Sequence, residues 1–469
     1  MQLETGARSA RGGLVTLVAT IVALVAPSSA MAIQAIPVTT NQDGTVPGKT
    51  TLRQAIDQAN AAAGAVEITL DAHGTYTLTQ CGPTTDTSNR SGNLSYFGSA
   101  QLTIEGNGNT LRQTCPGDRV LLLDSSSLVN VNDLTISGGD AAGQPGGGIW
   151  SQGTGELDLK NDVFSNNHSD AAGGGVAESS GKLVITGSTF VTNSGTELAG
   201  AIASIGPMEL IKSTVSGNTG GTAPGSPAPV GGVAASDGLL LIYSTVQDNT
   251  AENVNIEQGG LESYASMVGL SHPTGQAFPT CGVNGGTKSL GYNFSADPSC
   301  GFGGAPGDHT HGNPKMEPQT TASGAFEAVP GKGSPLINAI PKAKCAPPSI
   351  VALAPVYAGL SFDQFGTRRP QGTGCDIGAV EVPSPTGQIR LQPSHLRAGE
   401  QAEFTASGAK EAGGRIVQYI WRWGDRTAAG HGRRAAHVFS RPGRYGVKLI
   451  LVGSNGARTT IVKRITVSR

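Results

Sequence analysis

Few side chains in this 469-residue sequence have a type and spacing that could do chemistry, and its six cysteines are the clearest. They fall in three pairs along the chain: Cys81 and Cys115, Cys281 and Cys300, Cys345 and Cys375. Sequential pairing would close three local loops in an oxidising compartment; six cysteines permit fifteen pairings, and proximity alone selects this one. No pair has Cys-x-x-Cys spacing, which argues against a metal centre. His309-Thr310-His311 could set two imidazoles on one strand face as metal ligands, but the segment is a Gly/Pro-rich loop without an acidic partner in sequence and reads as solvated. Asp158 and Asp162 are the nearest approach to a carboxylate pair. Counted by offset, the positions below them are Lys182 and Thr186, which would not continue an acidic cluster. Arg112 and Arg119 stand alone, and Trp150 is expected to pack under a loop rather than stack on a sugar. Glycine-rich strings lack a strand-to-helix context, so nucleotide binding has no support. The sequence calls for no cofactor.

A second chemistry is electrostatic. Residues 33–383 hold 15 basic and 29 acidic residues, a balance of −14, whereas residues 384–469 hold 15 basic and 4 acidic, a balance of +11. Such asymmetry suits a C-terminal segment that meets a polyanion or docks on the acidic part of its own chain; a solvated basic surface is the plain alternative. Arg422, Arg426, Arg433 and Arg434 are the candidate contacts. Arg433 and Arg434 fall in a turn between two expected strands, where a core has no use for them. Arginine's planar fork matches carboxylate and phosphate groups.

The elements that must position these residues are written in a repeat. Gly147-Gly148-Ile149, Gly174-Gly175-Val176, Gly200-Ala201-Ile202 and Gly231-Gly232-Val233 open four units, at steps of 27, 26 and 31 residues. Phe164/Asn167, Phe190/Asn193, Val215/Asn218 and Val246/Asn249 close them, at steps of 26, 25 and 31. Fainter rungs stand at Leu102-x-Ile104 and Leu134-x-Ile136. A fixed period in this range marks a solenoid, in which each unit buries its apolar face only by stacking on its neighbours. Alternation such as Leu157/Leu159 and Leu183/Ile185 indicates short strands. The fold class is therefore all-β, a parallel β-helix, with glycine and asparagine supplying positive φ at the corners. The four asparagines are expected to form an internal ladder, with the phenylalanines and valines stacked inside. The long step holds the proline-rich insertion 222–229.

Arg8 and Arg11, an apolar run from Leu14 to Ala26, and Ala30-Met31-Ala32 read as an export signal over residues 1–32. Next, Leu52, Ala55, Ile56 and Ala59 make one short amphipathic helix, capped by Thr50 or Thr51 and placed to cover the open end of the solenoid. Thr51-Leu52-Arg53-Gln54-Ala55-Ile56 with Ile68-Thr69-Leu70 resembles the CSLREA domain of exported bacterial proteins, with Thr50 where that family has cysteine. The glycine-pair and F-x-x-N units resemble polymorphic outer-membrane proteins and pectin-lyase-like right-handed β-helices. Gly333-Ser334-Pro335-Leu336-Ile337-Asn338 and Asp363-Gln364-Phe365-Gly366-Thr367-Arg368-Arg369-Pro370 resemble the close of choice-of-anchor Q domains. Tyr419-Ile420-Trp421-Arg422-Trp423-Gly424-Asp425 with Pro442-Gly443-Arg444-Tyr445 resembles a PKD domain, which implies an immunoglobulin-like β-sandwich with Trp421 and Trp423 in or near its core. Arg426 stands where that family usually has glycine.

The expected organisation is a signal (1–32), an N-terminal cap (33–100), a parallel β-helix (101–300), its C-terminal end (301–382), a stiff proline linker (383–387) and a β-sandwich (388–469). β-Helix hydrolases and lyases need clustered carboxylates, yet the sequence has no Asp-Asp pair, and Gly430-His431-Gly432 falls in the sandwich. The expectation is a non-catalytic surface or extracellular protein: a β-helix spacer or adhesion surface with a basic module contacting acidic glycans, a cell-wall polymer or other surface proteins. Nucleic acid is not an expected partner. No hydrophobic span follows Val467, so no membrane anchor is expected once the signal is cut. A polysaccharide-active enzyme is the alternative.

Overall fold

The computed structural model describes residues 32–71, 73–83, 86–221, 229–271, 278–320, 326–348, 357–411 and 415–469. The expected export signal, but for its last alanine, and the 222–229 insertion, but for Pro229, lie outside the described residues.

Alternating apolar residues do make short strands, and three parallel ladders form the sides of a solenoid. One ladder runs through Val66–Leu70, Leu102–Gln113, Val129–Ser137, Leu157–Lys160, Leu183–Thr186, Met208–Ile211, Leu239–Ile242 and Leu261–Tyr264. A second holds Val163–Ser165, Thr189–Val191, Thr214–Ser216 and Thr245–Gln247. The third stacks Ile149–Ser151, Val176–Glu178, Ile202–Ser204, Val230–Ala235, Glu252–Ile256 and Cys281–Val283. Register follows the period: Ile149, Val176, Ile202 and Val233 lie above one another, as do Phe164, Phe190, Val215 and Val246. The Phe164 and Phe190 rings stack at 4.6 Å in the dry interior.

The glycine pairs are needed for a reason other than positive φ. A Cβ on Gly147 would lie 2.1 Å from the His168 carbonyl oxygen, and one on Gly148 would lie 2.4 Å from that of Gly175. Adjacent turns approach too closely there for any side chain. Positive φ falls instead on Gly146 and Gly173 just before the pairs, and on Asn161 and Asn166 at the corners.

The asparagine column is a continuous buried ladder. Each Nδ2 donates to the next Oδ1, from Asn167 to Asn193 (3.0 Å), Asn218 (3.0 Å), Asn249 (2.9 Å) and finally Asn253 (2.8 Å). The second Nδ2 hydrogen reaches back to a carbonyl of the preceding turn, Phe164 for Asn193 and Phe190 for Asn218. Each Oδ1 also accepts a backbone N–H, as Asn193 does from Asn167. A parallel column stands at the other corner. The backbone N–H groups of Asp162, Ser188, Ser213 and Ser244 donate to the hydroxyls of Ser188, Ser213, Ser244 and Ser266, and Ser266 N–H donates to Asn293 Oδ1.

Both ends are closed. The helix Leu52–Asn60 has Thr51 and Gln54 in a reciprocal capping box and buries Leu52, Ala55, Ile56 and Ala59 in the solenoid core. At the far end the Cys281–Cys300 disulfide and Phe302 join the same core. All three cysteine pairs are disulfides in chain order.

Residues 357–382 form a strap over the outer face of the later turns. Gln364 donates to Ser188 O and Thr189 Oγ1 and accepts from Thr214 Oγ1, while Ala379 N–H donates to Thr245 Oγ1. Buried Arg369 locks the strap, donating to Glu381 and to the carbonyls of Asp376, Gly378 and Ala379, with its guanidinium 4.3 Å from the Tyr243 ring centroid.

Beyond the strap, a three-stranded sheet (Thr386–Gln392, Gln401–Lys410, Arg434–Val438) packs on a five-stranded one (Leu396–Arg397, Ile416–Arg422, Gly430–His431, Gly443–Gly453, Arg458–Ser468) as a sandwich. The proline segment is no free linker. Val382 packs with Val329, Ala379, Val380 and Ala457, and Asn455 Nδ2 donates to Pro383 O.

Asn193→Ala removes the acceptor of Asn167 and a donor to Asn218 in the buried column, and is expected to cost about 1–3 kcal/mol in denaturant unfolding. An unchanged midpoint would contradict the ladder.

Candidate functional site

The solenoid's carboxylates were the first candidates for chemistry, and the register corrects their neighbourhood. Asp158 lies beside Val184, not Lys182, and the next rung on that row is Glu209. The 24-residue offset that points to Lys182 and Thr186 falls two short of the 26-residue step at which these strands pair. Lys182 bridges Glu209 at 2.8 Å and Glu156 at 3.9 Å, so an acidic cluster does surround Asp158. Burial first, then the Glu156 carboxylate, push the Asp158 carboxyl up to about 6. Lys182 is held protonated by Glu209, Glu156 and Asp158, which outweigh its burial, so it cannot serve as a lyase base near neutrality. The cluster lies on the outward surface of a sheet, with its one cation already engaged.

Asp162 does different work. It heads the serine column, where Oδ1 accepts Leu134 N–H at 2.9 Å and its own N–H donates to Ser188. Complete burial raises its carboxyl well above the usual range. Serine sequences alone gave no sign of this column.

The remaining candidates separate. His309 and His311 are exposed, His311 bonds only Thr310, and among the described residues no His/Cys/Asp/Glu group is spaced to hold a metal ion. Trp150 lies under the Arg119 guanidinium at 4.6 Å, and its indole N–H donates to Ser179. Arg112 is exposed. Uncovered rungs beside the strap leave a groove of about 670 Å³, lined by Thr110, Thr135, Ser165 and Val191 and walled by Phe365.

In the sandwich, Trp421 and Trp423 stack at 5.9 Å inside the core, the former donating its indole N–H to Gly432 O. Asp425 accepts from His437 at 2.7 Å, and His437 stacks on Trp423. A family model for the PKD domain matches residues 383–467.

Residues 383–467 form a PKD domain. No curated protein matches the chain. Solved structures similar to this part of it include the PKD1 domain of Vibrio anguillarum Epp (20% identity, TM-score 0.17, covering 19% of this chain and 98% of that one). The PKD1 domain of the Vibrio cholerae metalloprotease PrtV is another (20% identity, TM-score 0.16, covering 18% and 99%). A third is described as the structural basis for the promiscuous specificity of carbohydrate-binding modules of the β-sandwich superfamily (27% identity, TM-score 0.18); the match covers 19% of this chain and about a third, 36%, of that one.

The PKD domain does not gather the four candidate arginines. Arg422 lies on the five-stranded sheet in register with Lys448, and Arg434 lies on the opposite sheet in register with Thr405. Arg426 and Arg433 are exposed outside the strands. Arg426 adopts φ +70, the left-handed conformation that explains glycine at this position in the family.

Three of the four acids of the PKD domain are engaged elsewhere. Asp425 holds His437, Glu411 accepts Ser454 N–H and Glu400 accepts Arg397 N–H, while Glu403, whose carboxylate has no such bond among the described residues, lies on the three-stranded sheet in register with Ala436. Nor does the acidic solenoid neutralise the arginines. The PKD domain meets it at apolar Ala457 and the Gly456 turn, beside which Ile450, Arg458 and Thr460 share a cavity with Gly333, Asn338 and Thr373, and among the described residues no ion pair joins the two.

Two outcomes are expected. Asp158 has a carboxyl pKa raised by folding, so the native state binds the extra proton between about pH 4 and pH 6, and stability falls as pH rises through that window. Asp158→Asn should therefore stabilise at pH 7 by about 1 kcal/mol, allowing for solvent screening, and have no effect below about pH 4 in thermal melts. Arg426→Gly should raise stability by up to about 1 kcal/mol by relieving the left-handed strain, measured the same way; a loss would mean that the side chain makes a stabilising contact.

Proposed function

We propose that this is a non-catalytic exported protein of the cell surface or extracellular space, in which the β-helix is a spacer or adhesion surface and the PKD domain contacts an acidic glycan or another surface protein. The observation that carries the reading is the charge arrangement of the PKD domain: its carboxylates are engaged or lie on the three-stranded side, while its arginines have no acidic partner among the described residues. Export is supported by the basic and apolar residues before Ile33 and by three disulfides, which form and persist in oxidising compartments. Among the described residues no helix is long and apolar enough to cross a membrane.

A polysaccharide-active enzyme is the second reading, and Asp158 beside Glu156 is the observation that favours it. A proton donor of that kind needs a second carboxylate across a bound sugar. Here the neighbouring carboxylates Glu156 and Glu209 share Lys182 instead.

Titration of the full chain with an acidic and a neutral glycan, at low and high salt, tests the reading. Binding to the acidic glycan alone, weakening as added salt screens charges beyond about 8–10 Å, is expected. Equal affinity for both glycans, or cleavage of either, would overturn it.

A further inference from the structure

The outward face of the five-stranded sheet carries a set of cations that sequence proximity does not reveal. Along Gly443–Gly453 the core takes Val447, Leu449 and Leu451, so Arg444, Gly446 and Lys448 point the other way. Their cross-strand partners are Thr466, Arg464 and Val462 on Arg458–Ser468, and Arg422 flanks Lys448 on the other side. Arg422, Lys448, Arg464 and Arg444 therefore zigzag across three strands and are all exposed. With strands about 4.8 Å apart and alternate residues about 6.8 Å apart, successive cations stand about 5–8 Å from one another.

Three further facts bear on what could lie there. None of the four acids of the PKD domain is on this face, and among the described residues no carboxylate pairs with its cations. Gly446 leaves an open floor: a Cβ built on it meets nothing within 4 Å. Around it, Arg444, Tyr445, Arg464, Ile465 and Thr466 enclose a concavity of about 540 Å³. Of the other outward positions, Ile420, Ile450 and the 54%-exposed Val462 are aliphatic, Gln418, Thr460 and Thr466 are polar, and Arg458 adds a cation; Ile450, Arg458 and Thr460 lie toward Gly333 and Asn338 at the end of the solenoid domain, whereas Ile420 and Val462 flank the four cations.

We infer that this face is the binding track for a linear polyuronate, an acidic polysaccharide with one carboxylate per sugar. The inference rests on the proposed glycan contact and names its site. Guanidinium forks pair with successive carboxylates, the Gly446 floor admits the chain between Arg444 and Lys448, and the aliphatic side chains of Ile420 and Val462 lie under sugar C–H faces. Single-stranded nucleic acid, the competing polyanion, binds through aromatic stacking platforms, and no outward position on these three strands is aromatic.

The test measures binding of an alginate-type oligouronate, a neutral cello-oligosaccharide and a single-stranded oligonucleotide to the full chain. Gly446→Glu places a carboxylate amid the cations and is expected to weaken oligouronate binding at least about tenfold, whereas Gly446→Gln, of equal size, changes it less than about threefold. Arg390→Glu with Arg434→Glu, on the opposite sheet, should also stay within about threefold. Arg444→Gln with Arg464→Gln repeats the test without a new charge in the sheet, should Gly446→Glu melt early. Equal losses from the two faces would overturn the track while leaving glycan binding by the PKD domain intact. Tighter binding of the oligonucleotide would overturn the polyuronate assignment. No binding of any acidic glycan by the unaltered chain would sink the glycan contact in the proposed function, and the track with it.

Discussion

The solenoid depends on buried side chains that finish the hydrogen bonding of its corners. A strand stacked in a parallel ladder satisfies its own backbone, but each tight corner turns N–H and C=O groups inward, where an unpaired one costs free energy comparable to a lost hydrogen bond. Asparagine answers this with two donors and one acceptor, linking its own turn, the turn before and the turn after. Serine does a smaller version at the opposite corner. Because every rung supplies partners to the next, a slip by one residue would orphan a whole column as well as expose the apolar one. Register is thereby fixed by polar groups as well as by the stacking of Phe164 on Phe190.

Columns of this kind have ends, and the ends explain several unusual residues. Asp162 starts the serine column with a carboxyl that burial holds toward its neutral form. Asn253 closes the asparagine column four residues after Asn249. The capping helix and the Cys281–Cys300 disulfide seal the apolar core, and the strap covers the outer face of the later turns through Gln364 and Arg369. Residues that resemble a family signature around Asp363–Pro370 thus act as a fastening: Asp363 accepts backbone N–H groups from Phe365 and Glu381.

Much of this was legible because the period repeats. Asn167 to Asn249 announce themselves by standing three residues after an apolar position in each unit, and the cysteine pairs by proximity. Serine recurs too commonly for Ser188, Ser213, Ser244 and Ser266 to stand out against unequal turn lengths. The row of Asp158 was misplaced by two residues, so Glu209 went unseen as its neighbour. The arginines misled for a geometric reason. Arg422 and Arg434 are close in sequence, yet the chain crosses from one sheet to the other between them. A signal for the cationic face did exist: the alternation of Tyr445, Val447 and Leu449 on the core side implies Arg444, Gly446 and Lys448 on the other.

A division of labour follows, with a scaffold whose polar residues are spent internally and a module whose cations are not. Hydrogen exchange of the full chain with and without a saturating acidic glycan tests it most directly. Protection confined to Ile416–Arg422, Gly443–Gly453 and Arg458–Ser468, with the solenoid unchanged, is the expected result. Protection centred instead on Leu157–Lys160 and Met208–Ile211, around Asp158 and Glu209, would contradict it and place the functional surface on the β-helix.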